Sequence, residues 1–209
     1  MIPPSEERDY YTLVTMGMGA HRMNVPKELA EYKLERAELA ISLPPDWKLD
    51  QESMEEEGWY WPIRLLKVLA RLPIANDTWL GWGHTMDNQS PFAENTELCA
   101  SLLTAPQGIE GDDGVCILPN DEEVNFYQVI PLYREELDYK LEHGADALLE
   151  KMADVSFVVN PTRQKANTEG ILTYENFDGE MDDACYHIES IEEKELPVDP
   201  ITAYNHMAI

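Results

Sequence analysis

One segment of this chain is periodic enough to constrain the packing of everything around it. In MEEEGWYWPIRLLKVLARLP, Met54 to Pro73, the residues Ile63, Leu66, Leu69 and Ala70 fall on one helical face, and Arg64, Lys67 and Arg71 fall mostly on another. The spacing predicts a helix with Pro62 in its first turn, where a missing N–H is harmless, and Pro73 at its close. A helix with one apolar stripe must bury that stripe against a second layer. The rest of the chain says which kind of layer is available.

Most of the remaining apolar residues come in short β-branched or aromatic runs bounded by turn residues. YYTLVTMGMGA, Tyr10 to Ala20, reads as a strand that breaks at Gly17 and Gly19. Lys33 to Leu43 reads as a strand despite its helix formers, because Leu39, Ile41 and Leu43 alternate and Pro44-Pro45 forbids a helix beyond them. Trp79 to Trp82 fits a short strand followed by the polar loop MDNQSPFAENTE, Leu98 to Pro106 a buried strand, and Glu123 to Tyr133 another. QGIEGDDG is turn chemistry and is expected at an exposed hairpin tip. REELDYKLEHG is a helix stopped by Gly144, with Lys140 and His143 complementing its C-terminal dipole. ADALLEKMAD is a second helical piece, and VSFVVNPTR a last short strand or loop. Strands and helices mix without strict alternation, so the expected fold is α+β, a mixed β-sheet flanked by helices.

The texture changes near residue 169. From there to Asp199 the acids are Glu169, Glu175, Asp178, Glu180, Asp182, Asp183, Glu189, Glu192, Glu193, Glu195 and Asp199, against the single base Lys194. Ile171, Leu172, Tyr174 and Phe177 are interspersed, so part of this run is expected to dock as a strand or loop. The organisation expected is therefore one domain over residues 1–168 and an acidic C-terminal extension over 169–209. At this length the domain buries roughly 70% of its unfolded surface, enough for a core without disulfide staples.

The whole chain carries 41 acids and 15 bases, a net charge of −26. A potential of that sign repels nucleic acid and anionic membranes and attracts basic proteins. Cys99, Cys116 and Cys185 are odd in number and lack metal-ligand spacing, so neither a zinc site nor a disulfide framework is indicated. The start, MIPPSEERDYY, has neither the basic nor the apolar region of a secretory signal, and no uncharged apolar run reaches the ~18 residues that span a bilayer. A reduced cytoplasm is the expected compartment.

Chemistry is hard to locate. No GxSxG elbow, Walker loop or GxGxxG is present, Cys99 sits in an apolar run, and TMGMGAH has glycines but no lysine to meet phosphates. DGEMDD lacks the glycine and distal glutamate of a calcium loop. No cofactor or metal is implied. What stands out is DTWLGWGHT, Asp77 to Thr85, with two tryptophans, two glycines and a histidine. Trp79 is expected in the core, while Trp82, His84 and, nearer the helix start, Trp59 border glycine-bearing turns and are candidates for a partner-binding surface. The acids Asp178, Glu180, Asp182 and Asp183 complete the candidate set.

In order and spacing, TLVTMGMGAH, AELAISLPPDW, WPIRLLKVLARLP, DTWLGWGHT with SPFAENTE, VNFYQVIPLYREELDYKLEHGADALLEKM and VVNPTR resemble the bacterial single-domain members of the suppressor-of-fused family. The resemblance runs over roughly Tyr10 to Arg163 and is more specific than any one motif. It implies the mixed sheet already expected, no catalytic activity, and work by protein binding. Bacterial relatives serve as immunity proteins in polymorphic toxin systems, so the resemblance with the charge points to an immunity protein or antitoxin that binds a basic toxin encoded at the same locus. The alternative is a regulatory module holding a peptide of an endogenous cytoplasmic protein, as the animal relative does. Two departures matter. The family has a further helix and strand ahead of TLVT, so a truncated or mis-assigned start is expected to leave a sheet edge uncovered, open to a homodimer. The acid that precedes the histidine in the animal proteins is Gly83 here, whereas His84 matches.

Overall fold

The computed structural model describes residues 1–107, 114–168 and 185–187. Strand β1 (Tyr11–Val14) runs antiparallel to β2 (Ala37–Leu43), in register Leu13 opposite Ile41. Helix α1 (Glu57–Asn76) follows, then β3 (Thr85–Asp87), β4 (Ala100–Thr104), β5 (Val115–Ile117) and β6 (Glu123–Leu132). Helices α2 (Arg134–His143) and α3 (Ala145–Lys151) come next, and a short strand β7 (Cys185–His187) joins late. The sheet order is β1-β2-β6-β4-β3-β7, with β5 paired to the first half of β6. The β2–β6 and β3–β7 pairs are parallel and the others antiparallel, so the sheet is mixed.

The alternation of side chains along the strands sorts the core onto two faces. On one face Leu13, Leu39, Ile41, Leu43, Leu103 and Val129 meet Ile63, Leu65, Leu66, Leu69 and Leu72 of α1. On the other, Ala100, Leu102, Ile130 and Leu132 meet Leu137 and Tyr139 of α2 with Ala145 and Leu148 of α3. The result is a sheet with helices on both sides. Each large aliphatic buried this way contributes on the order of 1.5–3 kcal/mol. Gly144 (φ 86°) sits between α2 and α3 in a conformation costly for other residues, and its N–H bonds the Lys140 carbonyl.

Several local expectations are corrected. Helix α1 begins at Glu57, so Pro62 lies in its second turn, and it continues through Pro73 to Asn76. Pro62 cannot bond the Gly58 carbonyl one turn back, and Asn95 Nδ2 donates to that carbonyl instead (3.1 Å). The helix stops at Asp77 (φ 50°), whose N–H reaches the Pro73 carbonyl. The strand expected from Lys33 starts only at Ala37, because Lys33 itself is left-handed (φ 52°) at the end of a 3-10 turn over Lys27–Tyr32. Trp79 to Trp82 is not a strand; the strand begins at Thr85. VSFVVNPTR, expected as a short strand or loop, is the loop, holding one bridge, Val158 to Ser42. The edge at β1 is partly covered, since Ile2 and Thr12 exchange main-chain hydrogen bonds of 2.8 and 2.9 Å. Residues 108–113 of QGIEGDDG lie outside the described residues; the hairpin present is β5–β6, closed over Leu118 to Glu122.

Among the described residues no helix is long and apolar enough to cross a membrane. Nor does any group of three or more His, Cys, Asp or Glu there converge to hold a metal ion.

Candidate protein-binding surface

The stretch from Asp77 to Thr85 is a packed turn. Asn24 ties it down, its backbone N–H donating to the Thr78 carbonyl (3.2 Å) and its amide to the Asp77 carbonyl (3.2 Å). A Cβ on Gly81 would stand 2.5 Å from Cζ3 of Trp79, so only glycine lets the indole lie over the chain there. Gly83 adopts φ 80°, and its N–H donates to the Leu103 carbonyl (2.8 Å), while Leu103 N–H donates to the His84 carbonyl (2.9 Å). These bonds extend the ladder toward β4 just ahead of β3.

His84 is 1% exposed, its ring 4.3 Å from that of Trp79 in an edge arrangement. The expectation that it lies on a receiving surface is therefore corrected: it backs the turn from inside. Trp79 and Trp82 are half-buried, and Trp82 packs against both apolar clusters. Trp82 thus sits at the rim of the core, neither fully covered nor freely exposed.

Beyond the turn, Asp87 of β3 takes a bidentate pair from Arg134, Nη1 to Oδ2 at 2.8 Å and Nη2 to Oδ1 at 2.6 Å. That carboxylate pushes the Arg134 guanidinium further up from its ordinary value. Burial raises the neighbouring Cys99 thiol, which argues against a reactive thiolate. The outer edge of β3 is paired with the backbone of β7, in register Met86 opposite Tyr186.

Trp59 lies elsewhere. It occupies the first turn of α1, whereas Trp82 follows the helix's other end, and an α-helix rises ~1.5 Å per residue, or roughly 25 Å from Trp59 to Asn76. Trp59 meets Trp47 edge-on (centroids 5.3 Å apart), its carbonyl accepts from Trp47 Nε1 (3.0 Å), and Lys48 Nζ stands 5.1 Å from its ring centroid. The two tryptophan candidates thus do not form one patch. Asp178, Glu180, Asp182 and Asp183 lie outside the described residues.

A concave site that sequence reasoning missed lies where β2 and β6 begin, linked to the turn by Met23, whose N–H donates to the Glu35 carbonyl (2.8 Å), and by Asn24. It has a volume of about 200 Å³ and is lined by Arg22, Lys33, Glu35, Arg36, Asp121, Glu122 and Glu123. Arg36 donates from Nε to Glu122 Oε2 (2.9 Å) and from Nη1 to the carbonyls of Gly19 and Ala20 (both 2.9 Å). Arg22 also pairs with Glu122, and Lys33 with Glu123, which pushes the Lys33 ammonium up. These charges satisfy one another. The pocket holds no nucleophile beside a base, and its geometry suits anchoring the β5–β6 hairpin more than chemistry.

Sequence reasoning also missed the clamp that fastens VVNPTR to α2. Glu136 is fully buried and accepts from Arg163 Nη1 (2.6 Å) and Nη2 (2.5 Å), from Ala166 N–H (2.8 Å) and from Tyr133 N–H (2.9 Å). Arg163 also donates to the Pro131 carbonyl (3.0 Å) and lies over the Tyr133 ring. The only signal was an arginine and a glutamate in separate segments, with nothing local to join them.

Residues 1–164 match the family described as Suppressor of fused protein (SUFU). An uncharacterised protein of Ureaplasma parvum is 29% identical over 144 residues, which is 68% of this chain and 66% of that one. Among solved structures, a putative SUFU homologue of Neisseria gonorrhoeae superposes with a TM-score of 0.54 at 17% identity, covering 78% of this chain and 74% of that one. Drosophila Suppressor of Fused gives 0.53 at 16%, covering 75% of this chain but only 38% of its own. A chain from a Sufu–Fu complex gives 0.54 at 17%, covering 78% and 73%. At such identities these structures speak to the fold.

Proposed function

The chain belongs to the suppressor of fused family, and from that premise we propose that it is a non-catalytic binding protein that neutralises a basic toxin encoded at its own locus. The observation that carries this reading is the net charge of −26 on a family fold with a relative solved as part of a Sufu–Fu complex. Such a charge steers a cationic partner into encounter and raises its association rate, most steeply at low ionic strength. Retention then rests on partly desolvated rings, for which Trp82 and Trp59 are the candidates, with His84 packed on Trp79 inside the turn that carries Trp82. In this reading residues 1–168 are the binding body. The 169–209 extension, with Asp178, Glu180, Asp182 and Asp183, is the steering element, and the protein works in the cytoplasm.

Co-expression with the product of the adjacent open reading frame tests it. Growth rescue, a complex in pull-down, and an association rate that falls as salt is added are the expected results. No rescue and no complex in dilute buffer would overturn it. The likeness to a chain from a Sufu–Fu complex favours a second reading, a regulatory module for an endogenous protein. A partner encoded elsewhere, and harmless when expressed alone, would select it.

A further inference from the structure

Strand β5 differs from β1, β2, β3, β4 and β6 in being exposed at each residue. Val115 is 37% and Ile117 70% exposed, and Cys116 between them is exposed as a free thiol. The hydrogen bonds around it show which way its main chain faces. Phe126 N–H donates to the Gly114 carbonyl (2.6 Å) and Leu118 N–H to the Glu122 carbonyl (2.8 Å), so Gly114, Cys116 and Leu118 turn toward β6. Opposite Val115, Asn125 sends its own N–H the other way, to the Arg36 carbonyl (2.9 Å). The N–H and C=O groups of Val115 and Ile117 therefore point out of the sheet. Among the described residues no hydrogen bond joins them. An apolar edge with open main-chain groups is a template for another strand.

The pattern of that edge is symmetric about Cys116, and we propose that β5 pairs antiparallel with β5 of a second copy of this chain, with the two-fold axis passing between the two Cys116 residues. In that register Val115 of one copy exchanges both main-chain hydrogen bonds with Ile117 of the other, and the same pair repeats across the axis. Val115 and Ile117 then share a face and cover each other. Cys116 meets its counterpart at a non-hydrogen-bonded position, where antiparallel Cα atoms stand ~4.5 Å apart. That separation lies at the short end of the ~4.4–6.8 Å range a disulfide requires. A contact of this length buries far less than the ~1,200 Å² of stable interfaces, so the association is weak and reversible. Each copy also carries a charge of −26, so the dimer strengthens as salt screens the repulsion. This proposal rests on β5 alone and is independent of any toxin.

The thiols supply the test. In the full-length chain with Cys185→Ser, diamide is added at rising protein and salt concentration. Two Cys116 thiols lose two protons and two electrons to diamide, which becomes the hydrazine, and one S–S bond forms. A species of twice the 23.9 kDa chain mass is expected, increasing with salt and absent in Cys116→Ser. Ile117→Pro removes only an outward N–H, so it leaves the β6 ladder intact and is expected to lower cross-linking at least tenfold; Ile117→Lys does the same by charge. Sedimentation of Cys116→Ser should still show the salt-favoured dimer, and Ile117→Lys should show monomer. Cross-linking that persists equally in both Ile117 variants, or a chain monomeric at every salt concentration, would overturn the proposal.

Discussion

The two faces of the sheet are assembled by different forces. Against α1 the contact is aliphatic and aromatic, running from Leu13 through Leu66 to Trp61, which stacks on Phe92 with centroids 5.1 Å apart. Against α2 and α3 the apolar cluster is smaller, and ion pairs fix how the covering segments sit: Asp87 with Arg134, and Glu136 with Arg163. An apolar face tolerates a change in shape at a cost set by the lost volume. A face closed by a buried carboxylate does not, because an unpaired charge in the interior is far more expensive than an unfilled methyl site. The α1 face therefore supplies stability, while the opposite face is where geometry is dictated.

The sharpest break in that comparison is Arg163→Met. It leaves Glu136 buried without its partner and is expected to cost about 3–5 kcal/mol in chemical denaturation. Adding Glu136→Leu to it should recover most of the loss, since an apolar pair of similar volume replaces a buried ion pair at little net cost. On the other face, Leu66→Ala is expected to cost about 2–5 kcal/mol by the same measurement, in proportion to the cavity left. If Leu66→Ala outweighed Arg163→Met by several kcal/mol, the ionic clamp would be ornament.

Gly81→Ala probes the turn that joins the faces. Its methyl would press on Trp79, so about 1–3 kcal/mol and a shifted tryptophan emission are expected. The smallest effect belongs to the exposed pair Glu135–Lys165 (2.7 Å). Lys165 holds the Glu135 carboxyl below its ordinary value, and Glu135 holds the Lys165 ammonium above its own. The stabilisation from Glu135 is present above the ordinary carboxylate range and is lost as pH falls through its lowered value. The contribution from Lys165 is present below the ordinary lysine value and is lost as pH rises through its raised one. The difference in thermal midpoint between the parent and Lys165→Met should thus be small and flat near neutrality, and should vanish at both extremes.

Much of this architecture was legible residue by residue. The α1 stripe, the alternation in Leu39, Ile41 and Leu43, the stop at Gly144 and the buried run after Leu98 each follow from local periodicity or backbone preference. The misreadings have physical causes as well. Trp79 to Trp82 has strand composition, yet Gly81 and Gly83 serve ring packing and a left-handed turn there. Proline was expected to end α1 at Pro73, but a missing N–H removes one bond without preventing another turn. Strand β5 was not anticipated, because three residues carry too little pattern.

What the chain determined by itself was local or additive: which segments wind or extend, where they break, and a net charge set by counting acids and bases. What only the tertiary structure decided was every relation between distant residues. Arg163 meets Glu136, His84 turns inward onto Trp79, and Val115 and Ile117 face solvent while most of their strand neighbours are covered. Backbone preference acts over a few residues, whereas burial and ion pairing depend on which surfaces the completed sheet brings together.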